Sequence, residues 1–492
     1  MQQHKHAAPA APRETGRPPL LPLGAMLLGM ALQPAGAAEG GGETTLSAVE
    51  VKETVTNPRD QQTYQGGTTR VGKMDQLPQD VPQALTIVPE KLMFDRSNDT
   101  LKSALSNVAG ITFNAGEGGR IGDNMMLRGF YTFGDIYQDG IRDVAQYNRD
   151  VFNLEQVDVL RGAAAMLFGR GQAGAVINQV SKQPLLVDRY TGTATVGTES
   201  YFRETADLNK KIGDDAAIRV NLMKTEADST RNEVSTDRTG VAPTVRWGIG
   251  TADEFSVGAF YLKTHNVPDY GIPFFDTKPI DVDKDTFYGT SSDYEDNETT
   301  MLTGLWTHRF SNDTTLRSAF RAADYQRDLW AAAPRLVLTS PLRGQVVATD
   351  ATIANGTATV NRGRQARGGE EHTLTSQNDL TTRFQLGGMQ HEALAGVELL
   401  REQASRWNYN AIPSAVAPAT TVGNPDPDPP LPASYGNTIK NGTTSYKGYS
   451  IGVYAQDSVE FVPGWTFLLG LRQDQLNASY SNGARVNYGQ AS

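Results

Sequence analysis

The sequence predicts a mainly β protein in which a transmembrane antiparallel β-barrel follows a smaller N-terminal α+β domain. Apolar and polar side chains alternate with period two from Asp188 onward, in about eleven segments. The connections between these segments are short and long in turn, a loop pattern of outer-membrane barrels rather than of soluble sandwiches. The chain also opens on an export signal, and no run approaches the ~18 apolar residues that a spanning helix needs.

The 492 residues carry a net charge of −10 and no cysteine. An acidic balance argues against nucleic acid as a partner. The lack of cysteine removes disulfides and thiolate metal sites. A mean hydropathy of −0.43 does not exclude a barrel, whose lipid-facing apolar residues alternate with polar residues facing the lumen. Lys5, Arg13 and Arg17 precede an apolar run from Leu20 to Leu32, and Ala35-Gly36-Ala37 offers a small-residue cleavage site. Residues 1–37 therefore form a secretory signal peptide, and the mature chain starts near Ala38.

Residues 38–75 are a polar tether with a glycine lead, Glu39 to Gly42. Its one β-prone segment is Thr45, Leu46, Ser47, Ala48, Val49, Glu50 and Val51, which by itself could be any edge strand. The α+β domain is expected over 76–187. Val81 to Pro89 is a strand bracketed by prolines. Leu101, Ala104, Leu105 and Val108 recur at helical spacing, with Asn98 or Asp99 as N-cap and Gly110 as the stop. From Asn153 to Pro184 the chain runs through short strand, tight turn, short helix, glycine turn and strand. Val157 and Val159 flank Asp158, Arg161-Gly162 breaks the strand, Ala163 to Phe168 is the helix, and Ala175 to Val180 closes the unit. Gly169 to Gly174 satisfies the dinucleotide pattern GxGxxG, which works only between a strand and a following helix. Here that order is reversed, so the glycines serve a turn.

Over 188–492 the alternating segments lie near 189–198, 201–212, 215–227, 241–250, 253–265, 297–311, 313–324, 372–387, 389–405, 448–462 and 464–480. Ile218, Val220 and Leu222 alternate with Arg219 and Asn221, and Ile451, Val453 and Ala455 with Gly452, Tyr454 and Gln456. Short turns centre on Gly213-Asp214, Thr251-Ala252, Asn312, Gly388 and Pro463-Gly464, and the intervening connections are long and polar. Enzyme signals are missing. The histidines are scattered without HExxH, and Asp281 to Asp285 starts like a calcium loop but places Thr286 and Ser292 where glycine and glutamate are required. No catalytic residue, resident metal or covalently bound cofactor is expected.

Leu154 to Gly162, with Leu167-Phe168-Gly169, Gly174, Ile177-Asn178 and Ser181-Lys182-Gln183-Pro184, resembles the close of the plug domain in TonB-dependent outer-membrane receptors. Ala163, Phe168 and Ala175 stand where that family usually has Pro, Tyr and Gly. Leu101 to Ile111, Met125 to Phe130 and Ile136 to Arg142 resemble earlier plug motifs, so the likeness runs over residues 45–185. The phrases AGEGGRIGDN, DGIRDVAQYNRD, PDYGIPF and VSKQP look most like its catecholate siderophore branch. The resemblance implies a plug filling a barrel of about twenty-two strands, of which this chain carries roughly the N-terminal half, a truncated barrel. It implies import of a ferric siderophore, a ferric catecholate, with iron present only as part of that ligand. Thr45 to Val51 becomes the TonB box, which adds as a strand to TonB of the inner-membrane energising complex. TonB, the siderophore and outer-membrane lipid are then the partners.

The same resemblance implies site residues. Arg128 and Arg161, each in a Leu-Arg-Gly tripeptide, would lock the plug to barrel glutamates. Arg120, Tyr131, Phe133, Tyr147 and Arg149 on the plug, with Tyr270, Phe275, Arg327 and Trp330 on long loops, are the ligand candidates. Arginine supplies charge and hydrogen bonds to an anionic catecholate, and the aromatic rings supply flat faces. Receptors for cobalamin, haem or other metal chelates share the plug. A transport-dead surface protein or phage receptor would share the fold without needing the TonB box. Proline at Val49 removes a backbone donor from the paired strand, so Val49→Pro in a closed-barrel receptor carrying this chain should abolish uptake and leave ligand binding intact. Unchanged uptake would remove the TonB-box assignment.

Overall fold

The computed structural model describes residues 63–113, 122–132, 134–162, 165–169, 175–409, 416–433, 435, 439–482 and 485–491. All of them belong to one unit spanning Val55–Ser492. Thr45 to Val51, Arg120 and Phe133 lie outside the described residues.

The N-terminal domain is built from β1 (Ala84–Pro89), α1 (Glu90–Asp95), α2 (Leu101–Leu105), β2 (Ile111–Phe113), β3 (Met125–Leu127), β4 (Phe130–Tyr131), β5 (Ile136–Gln138), β6 (Ile141–Arg142), β7 (Leu154–Arg161), α3 (Ala165–Phe168) and β8 (Ala175–Ser181). One sheet runs β1-β7-β8-β5-β6 and a second β2-β3-β4. β5 and β8 are parallel, and the other pairs are antiparallel. β7 is longer than the alternation of Val157 and Val159 suggests, and both its faces are buried. Its Asp158 is fully buried yet satisfied by Thr69 Oγ1 at 2.7 Å and Gln156 Nε2 at 2.8 Å. The cap of α2 is Thr100, in a reciprocal capping box with Ser103, rather than Asn98 or Asp99. Leu101, Leu105, Leu127, Val157 and Ile177 pack in one core.

Two hairpins explain two sequence phrases. Arg128-Gly129 joins β3 to β4 and Asp139-Gly140 joins β5 to β6, with φ positive at all four residues (51°, 83°, 56° and 81°). That is the geometry of a two-residue hairpin turn whose twist matches its strands. A Cβ at Gly129 or Gly140 would meet nothing within 4 Å, so backbone conformation rather than close approach calls for glycine there.

The barrel sheet follows: β9 (Arg189–Val196), β10 (Phe202–Lys211), β11 (Ala217–Asp228), β12 (Ser235–Trp247) and β13 (Asp253–Asn266). A loop hairpin of β14 (Phe274–Phe275) and β15 (Lys278–Pro279) precedes β16 (Tyr294–Arg309) and β17 (Thr314–Leu336). Then come α4 (Asp350–Ala354), β18 (Thr359–Leu386), β19 (Met389–Tyr409), the loop strand β20 (Thr420–Thr421), β21 (Lys440–Val462), β22 (Trp465–Ser481) and β23 (Arg485–Ala491). Antiparallel pairing runs unbroken from β9 to β23, with β14, β15 and β20 off the path. All eleven expected segments are present and β23 is a twelfth. β17, β18 and β21 exceed the ~10 residues that cross a bilayer, and their outer parts carry the long loops. Leu222, Val257, Leu302, Phe320, Ile451 and Leu471 are exposed on the outward face, whereas Arg219, Asn221, Arg321 and Gln377 are buried on the inward one. Trp247, Phe255 and Trp306 stack across three strands beside the short turns, with ring centroids 5.4 and 6.3 Å apart. Such an aromatic row marks a membrane interface.

β9 and β23 end the path and do not pair with each other among the described residues. Unpaired backbone groups in hydrocarbon cost several kcal/mol each, so two open edges outweigh the ~5–15 kcal/mol of a typical fold. Residues 38–492 expressed alone should therefore aggregate or be degraded. Heat-modifiable migration with protease protection in outer membranes would show instead that this chain closes by itself.

Candidate functional site

The domain and the inward face of the sheet meet through charged groups that are buried and paired. Asp150, just before β7, accepts from Arg203 of β10 at 2.7 and 2.9 Å and from Arg238 of β12 at 2.9 Å. Arg238 also reaches Asp99 at 3.0 Å. Asp139, in the β5–β6 turn, accepts from Arg321 of β17 at 3.1 Å. Lys182 pairs with Asp207 of β10 at 3.2 Å, and Asp207 also binds Arg219 at 2.6 Å. On another wall Lys73 donates to Tyr454 of β21 at 2.8 Å and lies 3.7 Å from Glu398 of β19. Burial lowers the Lys73 pKa, and Asp379 and Glu398 oppose that fall. Each pair is desolvated, so losing one partner would strand a charge.

The expected lock through Arg128 and Arg161 is not formed among the described residues, which hold only part of a barrel. Arg128 is exposed in its hairpin turn. Arg161 donates within its own domain, to Thr86 Oγ1 at 2.8 Å and to the Ala109 carbonyl at 3.3 Å. Burial and then the like charge of Arg128 lower its pKa. Neither arginine meets a barrel carboxylate among the described residues. The lock seen here has mainly the opposite polarity, with domain aspartates held by barrel arginines. A sequence signal existed in Asp139, Asp143 and Asp150 facing a sheet whose inward positions include Arg203, Arg238 and Arg321.

The ligand candidates separate into two groups. Arg149 is buried, donating to Asp143 at 2.7 Å and to the Ala145 carbonyl at 2.9 Å, and lies 3.4 Å from Asp123. Burial opposes its charge, but Asp143, Tyr147 and Asp123 outweigh that and raise its pKa. Burial pushes the Asp123 carboxyl up, and Arg149 pulls it down. Tyr147 donates to Asp143 at 2.9 Å and packs on Tyr325, centroids 5.8 Å apart. Arg149 is thus committed within the domain, and Tyr147 to the interface with the wall. Tyr270 packs on Leu329 and Ala331, and Phe275 joins the core of the loops. Trp330, 1% exposed, lies between Tyr435 and Tyr409 at 5.3 and 6.1 Å, and strand alternation puts it on the opposite face from Arg327.

Tyr131 and Arg327 differ. Tyr131 is 46% exposed at the end of β4. Arg327 faces inward and donates to Gln146 of the domain at 3.3 Å. The register sets Arg327 opposite Gly369, Leu329 opposite Arg367 and Gly369 opposite Arg406. Arg327, Arg367 and Arg406 therefore share one inward wall, with Glu371 paired to Arg406 at 2.9 Å and Glu295 nearby. Arg367 and Arg406 were not among the sequence candidates, because β18 and β19 extend here through polar residues without apolar alternation.

Residues 78–176 match the TonB-dependent receptor plug domain, and residues 243–492 match the β-barrel domain of TonB-dependent receptors. The chain belongs to the TonB-dependent receptor family. These receptors are outer-membrane β-barrel proteins of Gram-negative bacteria, and the matched relatives are receptors rather than enzymes. The receptor is 31% identical over 422 residues to the catecholate siderophore receptor Fiu of Escherichia coli K12, covering 82% of this chain and 54% of Fiu. It is 29% identical over 424 residues to the probable TonB-dependent siderophore receptor PiuA of Acinetobacter baumannii, covering 81% and 55%. The crystal structure of the open form of Fiu superposes with a TM-score of 0.73 at 28% identity, over 84% of this chain and 66% of that one. The chain spans about half the length of the relatives it matches.

Replacing Asp150 with Asn leaves Arg203 and Arg238 underpaired in a dry interface, a loss of about 3–5 kcal/mol. In a closed barrel carrying this chain, Asp150→Asn should expose plug peptide bonds to protease while the barrel stays folded. Protection equal to the parent's would remove Asp150 from the lock.

Proposed function

We propose that the receptor binds an anionic ferric siderophore, a ferric catecholate, above the plug and imports it into the periplasm with energy delivered through TonB. The observation that carries this reading is the inward wall of Arg327, Arg367 and Arg406 over the plug, with the exposed Tyr131 ring as a stacking face. Three guanidinium groups against two nearby glutamates favour an anion, and their planar forks suit catecholate oxygens. The name of the relative Fiu, a catecholate siderophore receptor, supports the same ligand class. Thr45 to Val51 is the proposed TonB contact. Tyr147, Arg149 and Trp330 are left out of the proposed ligand contacts, because each is buried and already in contact with other side chains. A second reading, an anionic chelate of another metal, has the support of a 26% identical relative named metal-pseudopaline receptor.

A hydrogen bond to a charged group contributes ~1.5–3 kcal/mol. Arg327→Ala with Arg406→Ala, in a closed barrel carrying this chain, should weaken ferric-catecholate binding at least ~10-fold in a fluorescence-quenching titration. Equal affinity would move the site elsewhere. Tighter binding of a non-catecholate metal chelate by the parent would favour the second reading.

A further inference from the structure

Between the segment Arg70 to Asp75, the adjoining plug residues and the wall of β12 to β19 lies a cavity of about 340 Å³, beside the short turn at Asn312. Arg70, Asp75, Asp139, Arg317 and Asp379 line it. The other arginines on its wall have carboxylate partners: Arg70 with Asp75 at 2.6 Å, Arg246 with Glu254 at 2.5 Å, Arg309 with Glu254 at 3.3 Å and Arg383 with Glu392 at 2.6 Å. Arg317 of β17 has no hydrogen bond or ion pair among the described residues.

Its nearest carboxylates are engaged elsewhere. Asp379 accepts from the Tyr454 hydroxyl and from Gln377 Nε2 at 2.7 Å. Asp139 accepts from Ser181 N at 2.8 Å, Ser181 Oγ at 2.9 Å and Arg321 at 3.1 Å. Asp75 is held by Arg70. These carboxylates and the charge of Arg70 reach Arg317 only through space. A guanidinium has five donors in a planar fork suited to oxyanions, and here that fork is left to whatever enters the cavity. We infer that Arg317 is an oxyanion-binding position on the periplasmic side of the plug, accepting one carboxylate, phenolate or phosphate group. Within the proposed import, which this inference needs only for the identity of the cargo, it is a second contact for the anionic chelate after the outer arginine wall. The cavity is near the small end of ligand pockets, so it takes one anionic group and not the whole chelate.

The 492 residues hold no cysteine, so a closed barrel carrying this chain with no cysteine in its further strands offers one introduced thiol to the test. Thr315 lines the same cavity. A closed barrel carrying this chain with Thr315→Cys is reacted in outer-membrane fragments with an anionic and a cationic methanethiosulfonate of similar size. The ratio of anionic to cationic rates should fall about 5-fold on adding Arg317→Gln, the scale of one nearby charge in a partly aqueous cavity, and should be kept by Arg317→Lys. An unchanged ratio in Arg317→Gln overturns the site. Should Arg317→Gln fail to insert, the Thr315→Cys parent decides alone. Inorganic phosphate should slow only its anionic labelling, beyond the effect of equal ionic strength in chloride, and no such selectivity overturns the site. In cells, Arg317→Gln should lower the rate of ferric-catecholate uptake without changing surface affinity. If it lowers neither while the labelling ratio falls, the oxyanion is free phosphate rather than cargo. If the parent takes up no ferric catecholate, the import reading fails and the labelling ratio still decides Arg317.

Discussion

The arrangement depends on charge that has been taken out of water between plug and wall. Asp150 at the meeting point of Arg203 and Arg238 is the densest example, with a fully buried carboxylate and two desolvated guanidinium groups. Such a cluster contributes little when complete, because desolvation offsets attraction, but leaving it incomplete is expensive. It therefore acts as a register mark. The plug fits where Asp150, Asp139, Lys182 and Lys73 all find partners, spread over β10, β12, β17, β19 and β21, and that position sets what lies above and below it. Gln146 comes to rest under Arg327, and the segment from Arg70 to Asp75 comes to rest beside Arg317.

This two-ended layout places the proposed ligand contacts and the proposed TonB contact at opposite ends of the plug. Arg327, Arg367 and Arg406 lie on the long-loop side of the plug, the side proposed for ligand entry. Lys73 lies in the last part of the expected tether, where Val71, Lys73 and Met74 are buried, downstream of the proposed TonB contact. Any force on that tether reaches first the short segment closed by the Thr69–Gln76 bridge, and then the Lys73 contacts with Tyr454 and Glu398. In the proposed function, ligand affinity and release of this segment therefore draw on different residues.

Much of the fold was legible in the chain because barrel strands and hairpin turns obey local rules. Inward Arg219 and Asn221 against outward Leu222 announce a two-faced strand, and Asp139-Gly140 announces a turn with positive φ. The outer reach of β18 was not legible, since residues 359–371 leave the bilayer and have no lipid to impose apolar alternation. The polarity of the pairs that the described residues form was not legible either. Arg128 drew notice because its tripeptide repeats, yet it stands in a hairpin turn, whereas Asp150 is defined by partners 53 and 88 residues away in sequence. Trp330 looked like a ligand face from its composition, but register turns it outward under Tyr435. Of the candidate site, Tyr131 and Arg327 were readable. Arg367 and Arg406 needed the strand pairing to be seen together.

The central claim is active import of an anionic iron chelate by a plugged barrel. The most direct measurement is radio-iron uptake from a ferric catecholate by cells whose only siderophore receptor is a closed barrel carrying this chain, with and without TonB. The account predicts saturable uptake that disappears without TonB while surface binding persists. Uptake of equal rate in the two strains would contradict it.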